Sequence, residues 1–199
     1  MLSLSILDWF LGQDPVPQVH ALRINLGRES VKTATLRQFV EVMGPSIQDL
    51  QVTLPSDIHI YNEATPQFDF SLFKNVQTVH VEGYLRLGEE PDSRLLRDLT
   101  RSIFTQVASP HLEKVSLHYS LCIDETMAFF GFPNDILLNL FRWGALPDTF
   151  GGQSHKNLRS FRLALRGFPP YQRCNVEDSL RKGPFSSLAS RDIFSVGFL

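Results

Sequence analysis

One spacing recurs along this chain: an apolar residue, two variable positions, an apolar residue, one variable position and a further apolar residue. Val19, Leu22, Ile24 and Leu26 carry it first, then Ile47, Leu50, Val52 and Leu54, then Val76, Val79 and Val81. Leu112, Val115, Leu117 and Tyr119 form a fourth copy, and Leu158, Phe161, Leu163 and Leu165 a fifth. The copies start 28, 29, 36 and 46 residues apart, and a degenerate sixth runs through Leu188, Ile193 and Val196. Alternation with period two in the second half of each copy is the mark of a strand with one buried face. Five strands are predicted on this basis, beginning near Val19, Ile47, Val76, Leu112 and Leu158.

Between the strands the apolar period lengthens to that of a helix. Thr35 is placed to cap a helix carrying Leu36, Phe39, Val40 and Met43, stopped by Gly44 and Pro45. Ser93 is placed to cap another carrying Leu95, Leu96, Leu99, Ile103 and Phe104, ended before Pro110. The apolar start, Met1 to Leu11, holds Asp8 and lacks a cationic leader, so it reads as an amphipathic helix and not as a signal peptide. Strands joined through helices run parallel with right-handed crossovers. In a doubly wound domain such strands are apolar on both faces. Here the in-between positions are polar, which predicts an α/β solenoid: a parallel sheet with helices on one face and the other face open.

That register names the open face. Leu22, Ile24, Leu50, Val52, Val79, Val81, Val115, Leu117, Phe161 and Leu163 point inward. One outward rung is Arg23, Gln51, His80, Ser116 and Arg162; the next is Asn25, Thr53, Glu82, His118 and Ala164. Equivalent residues of a parallel ladder stack about 4.8 Å apart, so each rung is a row across the sheet. The rows mix both charge signs with amides and hydroxyls, as a protein-binding face does. Arg23, Asn25, Gln51, Thr53, His80, Glu82, Ser116, His118 and Arg162 are the expected partner-binding residues.

Composition narrows the class without naming a partner. With 43% apolar and 20% charged residues and a net charge of −2, the chain is expected to fold as one domain over 1–199. The balanced charge argues against a nucleic acid or an anionic membrane as partner. No apolar run approaches the ~20 residues of a membrane span. Two cysteines and the absence of an Asn-x-Ser/Thr acceptor point to an intracellular setting, cytoplasmic or nuclear.

With the repeats in place, the chain resembles the C-terminal leucine-rich-repeat-like region of the large fungal family of F-box/LRR proteins. The most specific matches are late: Trp143, Leu146, Asp148 and Phe150, then Asn157-Leu158-Arg159-Ser160-Phe161, and the closing Leu188 to Val196 segment. Asp192 stands where that closing pattern usually has glycine, so the turn before the last strand is expected to be built differently. Ordinary leucine-rich repeats place Asn or Cys after each strand; Gly27, Pro55, Tyr84 and Ser120 hold those positions here, and regular side-chain ladders on the returning turn are not expected. The resemblance implies a short leucine-rich-repeat-like solenoid that recognises substrate for an SCF-type ubiquitin ligase. The stretch before Val19 is too short for the three helices of an F-box, so the chain reads either as the C-terminal part of a longer architecture or as a member that has lost the module. Phe132 to Phe141 is similar to the opening helix of an F-box for about ten residues, but Gly144 and Pro147 end it. It reads as an amphipathic helix.

Candidate chemistry is sparse. His118, Cys122, Asp124 and Glu125 are the densest reactive group, yet His118 is expected on a strand and Cys122 just beyond it, apart from each other. His20, His59, His111 and His155 lack the spacing of metal ligands. No phosphate-binding glycine loop and no nucleophile elbow occurs. Neither catalytic residue, nor cofactor, nor metal is expected. The leading function is a non-enzymatic interaction module; the alternatives are an orphan scaffold without a ubiquitin role and an α/β enzyme with a cryptic site.

Overall fold

The computed structural model describes residues 9–26, 34–54, 69–86, 90–107, 109–122, 155–168 and 170–199. Six strands form one parallel sheet, each beside its neighbour in the chain: β1 Ala21–Asn25, β2 Asp49–Thr53, β3 Thr78–Arg86, β4 Lys114–Cys122, β5 Ser160–Arg166 and β6 Phe194–Phe198. The degenerate sixth copy is thus a strand like the others. Helix α1 Ala34–Met43 joins β1 to β2, and α2 Glu90–Gln106 joins β3 to β4. Helices α3 Arg173–Lys182 and α4 Ser186–Ala189 join β5 to β6.

Strand β6 begins six residues after Leu188, whereas strands β1 to β5 each begin two residues after the first apolar position of their copy. Those positions are corners. Ile47, Val76, Leu112 and Leu158 are buried in the turn that enters the strand. There two successive amides share one carbonyl of the preceding copy: Gln48 and Asp49 donate to His20 O at 2.8 and 3.0 Å, and Gln77 and Thr78 to Gln48 O at 2.8 and 3.0 Å. Glu113 and Lys114 do the same to Gln77 O, and Arg159 and Ser160 to Glu113 O. Side chains reinforce the corner. Asn75 Nδ2 donates to Pro45 O at 2.6 Å and Asn157 Nδ2 to Pro110 O at 2.7 Å, while Ser46 Oγ donates to Val19 O at 2.8 Å. A repeated side-chain device therefore exists, on the turn before the strand.

The predicted inward residues are in register across the sheet, Leu22 with Leu50, Val79, Val115 and Phe161, and Ile24 with Val52, Val81, Leu117 and Leu163. All but Leu22 are fully buried; Leu22 belongs to the edge strand and is half-buried. They share one hydrophobic core with Phe39, Val40 and Met43 of α1, Ile103 and Phe104 of α2, and Val176 and Leu180 of α3. Among the described residues the helices thus pack on the inward face.

Several boundaries differ from expectation. Helix α1 already includes Thr35, and α2 begins at Glu90, three residues before Ser93, so neither Thr35 nor Ser93 is a cap. Tyr84 and Ser120 lie within β3 and β4, which pair on to Arg86 and Cys122. Cys122 therefore ends a strand. Asp192 has φ 56°, the left-handed backbone that glycine adopts without strain and that asparagine and aspartate visit more readily than most other residues. A glycine at this position would adopt the same conformation without strain. Trp9 to Leu11 are helical, with Phe10 edge-on to Phe39 at 6.3 Å. Met1 to Asp8, the Phe132–Phe141 helix, the Trp143–Phe150 segment and Asp124 and Glu125 lie outside the described residues.

Candidate functional site

The open face is built by parity. Because Leu50, Val79, Val115 and Phe161 are driven inward, the residues after them are forced outward, and the ladder lines them up. Arg23, Gln51, His80, Ser116, Arg162 and Ser195 form one row; Asn25, Thr53, Glu82, His118, Ala164 and Gly197 form the next. Arg23, Asn25 and Arg162 are exposed, and Gln51, Thr53, His80, Glu82, Ser116 and His118 are half-buried by one another. The one member that differs is Ala164, which is buried although it lies on this face. Towards β6 the second row shrinks to Ala164 and Gly197. A Cβ built on Gly197 would meet the Arg162 guanidinium at 3.4 Å, so the glycine lets that side chain lie across the sheet.

Polar contacts concentrate at the centre of the face. His80 Nε2 donates to Glu82 Oε1 at 3.0 Å, two residues along the same strand. Arg23 Nη2 reaches over β2 to donate to Glu82 Oε2 at 3.2 Å. The imidazoles of His80 and His118 meet edge to face with centroids 4.3 Å apart. Thr53, between Asn25 and Glu82 in its row, has a buried Oγ1 with no hydrogen-bond partner among the described residues.

The electrostatics follow from this crowding. Burial pushes the Glu82 carboxyl up, but the His80 hydrogen bond and the charges of His80, Arg23 and His118 outweigh it and hold the carboxyl below its ordinary value. Burial, then the neighbouring His80 and Arg162 cations, lower His118 against the opposing pull of Glu82. His118 therefore favours the neutral imidazole, whose lone pair is free to accept a proton or a metal.

The expected partner-binding residues thus lie in the rows assigned to them. Their grouping was not anticipated. The sequence groups His118 with Cys122, Asp124 and Glu125; the structure sets it beside His80 and Glu82. The signal was present in the sequence as His80-x-Glu82 on one strand with His118 at the matching rung of the next. Among the described residues, His80, Glu82 and His118 are the one set of at least three His, Cys, Asp or Glu side chains placed to hold an ion, with ligand atoms all within 4.8 Å of one another.

His155, far along the chain, is a different case. It is 3% exposed, at the turn into β5, and burial lowers its pKa. A buried neutral histidine takes up its proton more readily in the unfolded chain, so the unfolded state gains on acidification. Stability is therefore expected to fall as pH drops below the ordinary histidine range, near 6.5, by up to about 1.4 kcal/mol per pH unit from this group. Denaturant titrations between pH 7 and 5 check this, with His155→Gln showing a shallower loss than the parent.

Comparison with protein-family models, curated proteins and solved structures returned no match to this chain. Among the described residues, no helix is long and apolar enough to cross a membrane.

Proposed function

We propose that this protein is a non-enzymatic recognition module: a short leucine-rich-repeat-like solenoid that binds a protein partner on the open face of its sheet. The observation that carries this reading is the pair of in-register rows running from Arg23 to Ser195 and from Asn25 to Gly197. Side chains held on adjacent strands lose little conformational freedom when a partner docks, and arginine is among the residue types most often found at binding hot spots. The charges are mixed, which suits a polypeptide with both signs better than a polyanion. The resemblance to fungal F-box/LRR proteins extends the reading to substrate recognition for an SCF-type ubiquitin ligase inside the cell.

Replacing Arg23, Gln51 and Arg162 together by Ala tests it. Arg23 and Arg162 are exposed and Gln51 is half-buried on the same face, outside the core, so each change is expected to cost no more than ~0.5 kcal/mol of stability. Partner recovery in a quantitative pull-down should fall tenfold or more, equivalent to roughly 1.4 kcal/mol of binding. An unchanged set of recovered proteins would move the binding surface off this face.

A further inference from the structure

We propose that His80, Glu82 and His118 form a binding site for a divalent first-row transition metal ion, Zn²⁺ being the best fit. Two imidazoles and one carboxylate are the donor set of open three-ligand sites, in which the remaining position is left to water or another ligand. The sheet supplies the arrangement from three constraints. Residues two apart on a strand share a face, which puts His80 and Glu82 side by side on β3. The parallel register sets His118 of β4 directly opposite Glu82. The two rings pack edge to face, 4.3 Å between centroids, and one ligand atom of each lies within 4.8 Å of the carboxylate.

The distances are close to those of a bound ion. Zinc bonds of about 2.0–2.2 Å in a tetrahedron put ligand atoms roughly 3.4 Å apart. His80 Nε2 and Glu82 Oε1 are already 3.0 Å apart, and all three ligand atoms fall within 4.8 Å of one another. Small side-chain rotations close the remainder without backbone movement. On binding, the ion takes the place of the proton between His80 Nε2 and Glu82 Oε1, and His80 remains a neutral imidazole whose one ring proton is on Nδ1.

Glu82 has a second oxygen, and Arg23 holds it at 3.2 Å. Such a contact orients a metal-bound carboxylate from behind, as outer-shell partners do in metal sites. Arg23 and Arg162 also set an upper limit on affinity, because both add positive charge near a cation. The site is consequently expected to be weaker than a structural zinc centre, and its vacant position opens onto the same face that the proposed partner would occupy. The metal proposal stands on the triad alone and does not depend on partner binding.

The test uses the purified full chain, freed of metal with chelator, titrated with Zn²⁺ by calorimetry and with Co²⁺ by visible absorption. The expected result is saturable binding of one ion per chain, a Co²⁺ spectrum of low coordination number, and a melting temperature that rises with Zn²⁺ concentration. His118→Ala, His80→Gln and Glu82→Gln should each weaken binding tenfold or more. His20→Ala and His111→Ala, which alter histidines away from the triad, should leave it unchanged. Absence of one-to-one binding by the parent chain overturns the proposal without recourse to any variant. So does binding that survives His118→Ala, or that is lost equally in His20→Ala or His111→Ala. Circular dichroism of each variant accompanies its titration; should His118→Ala fail to fold, His118→Asn keeps the polar shape and replaces it.

Discussion

Leu117→Ala is expected to lower the unfolding free energy by about 2–5 kcal/mol, the range for truncating a fully buried leucine. Leu117 sits in the central strand pair, in register with Val81 on one side and Leu163 on the other, and is completely buried. Removing its side chain deletes apolar contact to both neighbouring copies, so adjacent layers cannot close the cavity by collapsing from one side. The neighbouring substitution, Ser116→Ala, falls on the open face and is expected to change stability by less than ~0.5 kcal/mol. The contrast between adjacent residues is a direct test of register, because a slip by one position exchanges the two faces. Urea titration of both variants reads it. A loss below 1 kcal/mol at Leu117, or a larger loss at Ser116, would invert the assignment of inward and outward residues and move the proposed binding rows with it.

How much of this was legible in the sequence depends on how local each determinant is. Inward and outward parity is a property of single strands, and alternation such as Val79-His80-Val81-Glu82 states it outright. Strand order followed from the spacing, since copies 28 to 46 residues apart leave room for one crossover each. Strand ends were less legible. Gly83, Tyr84 and Ser120 have turn or surface character, yet hydrogen bonding between β3 and β4 carries the ladder past them. The corner bonds were missed because a proline carbonyl accepting from Asn75 or Asn157 leaves no periodic mark on hydropathy. Helix starts at Ala34 and Glu90 were misplaced for a related reason: Thr35 and Ser93 are good caps by type, but a residue already inside the helix no longer serves as one.

The site was half legible. Each member of the open rows was assignable from parity, and the β3–β4 register put Glu82 beside His118. The inclination of two rings towards one carboxylate is set by rotamers and by Arg23 arriving from two strands away, a contact spanning 59 residues of sequence. No spacing rule encodes that. The grouping of His118 with Cys122 was drawn from proximity in sequence, whereas a parallel sheet brings together residues one whole copy apart. Chemistry in such a fold is therefore sought across rungs before it is sought along the strand.

The same logic predicts where the chain is most vulnerable near its end. Phe161→Ala is expected to cost about 3–5 kcal/mol. Phe161 is fully buried on β5, with ring centroids 5.4 Å from Phe185 and 6.0 Å from Phe194, and those two rings stack at 4.6 Å. The cluster joins β5 to the segment before α4 and to β6. Aromatic pairs of this kind contribute about 0.5–1.5 kcal/mol beyond their buried area, so truncating Phe161 removes both a large apolar volume and two ring contacts. Strand β6 is paired in the sheet with β5 alone, and the Phe161 amide donates to Ile193 O at 2.7 Å where that pairing begins. A strand at the end of the sheet leans on a single neighbour. Loss of Phe161 should thus be felt first by β6 and α4. Native-state hydrogen exchange on the variant is expected to show the amides of Ser195 and Gly197, which face β5 in the ladder, losing protection well before those of Val81 and Leu117. Uniform loss across all six strands would mean that the terminal unit is no less firmly held than the centre, and that the sheet unfolds as one indivisible block.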